Sequence, residues 1–160
     1  MKHVTFSSIE KAIQKVDHLN DDDLEVLSEK FALAQPTLLG YAMTAPEEYQ
    51  NEELEGLLIY YFCLISEAFE QQGLEMNIIS EDEIDAFEEP FFEMLDAYFE
   101  NDDTDLLEDF CDQPELSQFM AMEISTEDED GSALSDETAT QLFIVSLAMI
   151  TLMNRALKGV

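Results

Sequence analysis

The sequence predicts an all-α fold, a single-domain six-helix bundle with proline-kinked helices. Three observations carry this expectation. Apolar residues recur at spacings of three and four, the strict alternation that marks strands is nearly absent, and only five glycines interrupt the 160 residues. With 46% hydrophobic residues, including eleven Phe, five Tyr and eight Met, the chain can bury one core, so residues 1–160 are expected to form one domain.

The first helix is expected over Phe6 to Asp17, with Phe6, Ile9, Ile13 and Val16 on one stripe, Ser7 or Ser8 as N-cap and Lys15 near the negative end of the helix dipole. Asn20 caps the second, whose first turn is Asp21, Asp22 and Asp23. Its stripe of Leu24, Leu27, Phe31, Ala34, Leu38 and Tyr41 runs through Pro36, where the missing N–H and the ring clash demand a kink, with Pro36 at the first position of a new helical stretch. A third helix, about Glu52 to Gln72, has the centre "GLLIYYFCLI", apolar all round and therefore buried on most sides. Gly73 ends it. Ser80 with Glu83 makes a capping box for a fourth helix to about Glu100, with Ile84, Phe87, Phe91, Met94, Leu95 and Tyr98 inward and a kink or restart at Pro90. The fifth starts near Thr104 and breaks at "CDQPELSQFMAM"; the sixth runs from Ser135 to about Leu157, a second central stave.

The two proline breaks resemble each other: Gln35-Pro36-Thr37-Leu38 with Tyr41, and Gln113-Pro114-Glu115-Leu116 with Phe119. Each follows an acid-capped helix and precedes a long apolar one. Two pseudo-repeated three-helix halves, 1–73 and 80–159, are the resulting expectation, with chance similarity as its alternative.

Charge says most about function. The formal net charge is −32, and no Lys or Arg occurs between Phe31 and Asn154, a stretch that holds 31 of the 38 acids. Such a surface repels nucleic acid and anionic lipid, whose binding needs basic side chains, and favours a basic protein or peptide segment. The face expected to meet it is the acid stripe of the fourth helix, Asp85, Glu89, Glu93, Asp96 and Glu100; Asp102, Asp103, Asp105 and Asp109 are the second choice. Phe92 and Phe99 flank the inward set of that helix and either widen the buried face or line an exposed patch.

Catalytic and cofactor signatures are missing: there is no Gly-rich phosphate loop, no GxSxG and no Glu-x-x-His pair, so no enzyme activity and no cofactor are expected. Cys63 and Cys111 lie in no CxxC or Cys/His group and read as small core residues in a reducing compartment; with no apolar h-region at the N-terminus, a cytoplasmic location follows as the expectation. The uncharged run Thr138 to Asn154 is too short and polar for a membrane anchor.

The acidic loop at 125–134 leads into "SDE", and with Gly131 at the invariant glycine position the stretch resembles an EF-hand loop carrying Thr126, Asp128, Asp130, Ser132, Leu134 and Glu137 at the ligand positions. Thr126 replaces the first Asp and Leu134 offers no side-chain ligand, which favours a solvated acidic connection over a weak calcium site. The functional expectation is a protein-protein interaction module, either an inhibitor or immunity-like cover for a cationic groove or an adaptor or chaperone for a basic segment. A salt-adapted structural helical protein with no specific basic partner is the alternative.

Overall fold

The computed structural model describes residues 3–125 and 135–158. The described residues are helical, with no strand and one isolated antiparallel bridge between Met76 and Leu157. In chain order the helices are α1 (Phe6–Asp17), α2 (Asp21–Ala34), α3 (Pro36–Ala42), the single turn α4 (Ala45–Glu48), α5 (Glu53–Gln71), α6 (Glu81–Asn101), α7 (Thr104–Cys111), α8 (Pro114–Ser125) and α9 (Asp136–Arg155).

The expected six-helix count is therefore corrected. Pro36 opens a new helix, α3, at its first position as expected, and Pro114 opens α8 at the expected break, because a first-turn proline has no hydrogen bond to lose; each is a helix of its own and raises the count. Pro46 opens the extra turn α4 in the same way. Pro90 behaves differently: α6 continues through it as a single helix, so of the kink or restart expected there the restart does not occur.

α5 and α9 form the centre. Each contains nine consecutive buried residues, Tyr61 to Phe69 and Val145 to Met153, and the two helices pack on each other. Burial of that kind removes apolar area from water at about 25 cal/mol per Å², the main stabilising term of the fold. α1 lies on α5, α8 lies on α9, and α6 packs with α7 against the far side through Phe87, Phe91 and Phe110, whose rings lie 4.7 to 6.1 Å apart. The expected stripes hold for α6 but shift in α1, where Ala12 is buried and Phe6 is 44% exposed, and in α2, where Ala34 faces solvent.

Two buried glutamines lock the helix entries. Gln35 sits at the start of α3 without capping it; its Nε2 donates to the Asn77 carbonyl (2.8 Å) and its Oε1 accepts the Ile79 N–H (2.9 Å). Gln113 precedes α8, accepts the Val4 N–H on Oε1 (2.8 Å) and donates from Nε2 to Asn154 Oδ1 (2.9 Å). Ile79 and Val4 are both fully buried, and each stands one residue before an N-cap: Ser80, which accepts the Glu83 N–H, and Thr5, which accepts the Ser8 N–H. A buried N–H left without an acceptor costs about 1–3 kcal/mol, so each glutamine side chain fixes where a helix begins.

Candidate interaction surface

α6 presents the acidic face. Ser80 caps it, Glu81, Asp82 and Glu83 place negative charge at the positive end of its dipole, and Asp102 in left-handed conformation closes it by donating its N–H to the Tyr98 carbonyl. Ile84, Phe87, Phe91, Met94 and Leu95 are buried, and a helical repeat of 3.6 residues then turns Asp85, Glu89, Glu93, Asp96 and Glu100 to the opposite side. All five are exposed, as are Asp102, Asp103, Asp105 and Asp109, although Asp103 also caps α7. None of these nine carboxylates forms an ion pair among the described residues.

The cations are held elsewhere. Lys15 pairs with Glu67 at 3.0 Å, Lys30 with Glu70 at 2.8 Å, and the Arg155 guanidinium lies over the rings of Phe87 and Phe110 at 5.5 and 5.0 Å. Lys30 and burial oppose each other at Glu70: the lysine hydrogen bonds prevail and hold that carboxyl below its ordinary value. Glu67 is an acid within the buried run of α5, with Oε1 also accepting from Gln71 Nε2 (2.8 Å). Burial and the Glu67 charge push the Cys63 thiol up to about 11, and burial raises Cys111, whose sulfur accepts from Thr151 Oγ1. Both cysteines are free and buried, with thiols far from the reactive range.

The N-terminal end of the α6 stripe borders a groove of about 540 Å³ against α3. Thr37, Gly40 and Tyr41 form one wall and Glu81, Asp85 and Glu88 the other. Tyr41 registers the field there: burial first, then the charges of Glu88 and Glu48, push its phenol up to about 12. Glu81 and Glu88 belong to this wall although neither was on the expected stripe. Their spacing of four and three around Asp85 is visible in the sequence, but the groove exists only because Pro36 starts a helix that passes beside α6.

Of the two flanking aromatics, Phe92 and Phe99 are both more than two-fifths exposed, and Tyr98, Phe99, Ile124 and Phe143 border a smaller apolar recess of about 260 Å³. No helix among the described residues is long and apolar enough to cross a membrane, and the described residues contain no group of three His, Cys, Asp or Glu arranged for a metal ion. The loop resembling an EF-hand lies outside the described residues except for Ser135, Asp136 and Glu137, which open α9. No protein-family model, curated protein or solved structure matches the chain.

Proposed function

We propose that the protein is an interaction module that meets a basic partner through the acidic face of α6, with Asp85, Glu89, Glu93, Asp96 and Glu100 as the contact residues. The observation that carries this reading is the separation of charge: five carboxylates stand exposed along one helix face without an ion pair among the described residues, while Lys15, Lys30 and Arg155 are engaged by Glu67, Glu70 and the Phe87 and Phe110 rings. A field of one sign accelerates encounter with an opposite one and is screened by salt, with a Debye length near 10 Å at about 0.1 M. An inhibitor covering a cationic groove and an adaptor holding a basic segment both use such a face.

The test is capture of basic proteins from the native cell lysate at low salt by the wild-type protein and by a variant with all five residues changed to Lys. Retention by the wild type, release on adding NaCl and loss in the variant are expected. Retention that ignores salt, or that the fivefold reversal leaves intact, removes the reading. One observation favours the salt-adapted alternative: exposed acids also crowd α2 and the α4–α5 connection, at Asp21, Asp22, Asp23, Glu47, Glu52, Glu53 and Glu55. That alternative requires the melting temperature to rise steeply with salt in the absence of any partner.

We also infer that residues 1–73 and 80–159 are two related halves of one domain. The support is reciprocity: the glutamine of each half accepts the N–H that precedes the first helix of the other. α1 and α6 differ in length, as do α2 and α7, so the relation rests on the junctions and not on the helices between them.

A further inference from the structure

The reciprocal glutamines supply a register for comparing two helix junctions. Where Gln113 meets Val4, α8 packs beside α1; where Gln35 meets Ile79, α3 passes beside α6. Counting from the glutamines and from the residues they hold, Thr37, Gly40 and Tyr41 of α3 correspond to Glu115, Gln118 and Phe119 of α8. Glu81, Ile84 and Glu88 of α6 correspond to Phe6, Ile9 and Ile13 of α1.

The α1–α8 junction is closed by its own residues. Glu115 Oε2 accepts the Phe6 N–H at 2.9 Å, Ile9 is fully buried, and Ile13 and Phe119 pack against the core. At the α3–α6 junction two of these closing elements are replaced, while Ile84 keeps the buried isoleucine and Tyr41 the aromatic ring. Thr37 stands where Glu115 reaches across, and the half-buried Ile13 becomes Glu88; Gly40 and Glu81 occupy the positions of the exposed Gln118 and Phe6. A Cβ placed on Gly40 meets no atom within 4 Å, so the glycine borders open space. The same framework thus yields a filled apolar joint at one end and a hollow walled by carboxylates at the other, with the buried Ile84 as its apolar side.

We propose that the groove between α3 and α6 is the seat of a basic helix of the partner protein, which places a lysine or arginine between Glu81, Asp85 and Glu88 against the Tyr41 ring. The occupant follows from complementarity. Three carboxylates without a cation beside them attract a positive side chain, an aromatic face adds cation–π attraction, and Ile84 accepts the apolar stem. A second copy of this chain, at −32, is repelled from the same hollow. The proposal rests on the anionic-surface reading and assigns the point on that surface where the partner is gripped.

Gly40→Gln tests it, because it puts a side chain into the open space beside Gly40 while improving helix propensity, so the fold is preserved. The probe is a fluorescently labelled arginine- and leucine-containing amphipathic peptide of about five helical turns, followed by anisotropy at low and raised salt. Wild type is expected to bind it in a salt-sensitive way. Gly40→Gln and the pair Asp85→Asn with Glu88→Gln are expected to weaken binding about tenfold or more, and changing Glu93, Asp96 and Glu100 together to Lys about threefold or less. If the distal triple variant loses binding while Gly40→Gln retains it, the groove assignment falls and the acidic face stands. If no variant changes binding, or wild type does not bind, both fall. If wild type sediments as a dimer that Gly40→Gln separates, the groove belongs to a second copy and the proposal is overturned.

Discussion

At the α1–α8 junction a glutamate carboxylate accepts the first free N–H of α1, whereas at the α3–α6 junction the corresponding residue is Thr37 and the α6 end relies on its own Ser80 cap and first-turn acids. Both junctions keep the buried glutamine that fixes the chain path. The difference teaches that two similar helix crossings can end as a filled joint or as a groove through a few side chains on the rim, here Glu115 against Thr37 and Ile13 against Glu88. The glutamine clasp is structural at both junctions; the rim is where they differ.

The largest expected effect breaks the part they share. Gln113→Leu and Gln35→Leu keep side-chain size but leave the Val4 or Ile79 N–H without its acceptor, and each should destabilise the protein by about 2–3 kcal/mol in denaturant unfolding. The two costs should be similar, since each glutamine is buried, accepts a buried backbone N–H and donates across the fold. A loss at one position with none at the other would dissolve the equivalence of the halves.

The next effect sharpens the difference. Glu115→Ala removes both a cap acceptor and a negative charge from the start of α1, for an expected loss of about 1 kcal/mol. Thr37→Ala, its counterpart, should stay within about 0.5 kcal/mol, because Thr37 only lines the groove wall. Thermal melts of the two variants side by side decide the matter. Equal losses would mean that the α3–α6 junction is closed by contacts of the same kind.

Much of this architecture is legible in the sequence where the signal is local. The Ser80–Glu83 box, the inward set of α6 and the apolar centre of α5 are written at spacings of three and four, and the structure places them accordingly. Pro36 and Pro114 mark the breaks correctly, and Pro36 the start of a new stretch, but each broken helix counts there as one, so the helix number comes out too low. The glutamines are illegible for a different reason. A polar residue before proline reads as a turn, and the groups that make Gln35 and Gln113 interior lie 41 to 109 residues away along the chain, with no periodicity to announce them. Glu67 is similar: its partner Lys15 belongs to another helix, so an acid in a buried run looks like an exposed one. The acidic stripe was visible as a stripe; its groove depends on the approach of α3, a tertiary fact.

The smallest effect separates the halves by pH. In the first half Lys30 grips Glu70 through both carboxylate oxygens, at 2.8 and 2.9 Å, and lowers the pKa of that carboxyl in the folded state below its ordinary 4.5. A carboxylate whose folded value is depressed stabilises the protein above its unfolded value, and that contribution disappears as pH falls through the folded one. Wild type should therefore exceed Lys30→Met in stability at neutral pH by less than about 1 kcal/mol, since both partners are about half exposed, and the gap should close in acid below about pH 4.5 and in high salt. In the second half Arg155 rests on Phe87 and Phe110, and neither ring titrates. Arg155→Met should cost about 0.5–1 kcal/mol with no comparable closing of the gap over the same acid range. Parallel pH profiles for the two variants would show that ring stacking and the carboxylate grip are not what distinguishes Arg155 from Lys30.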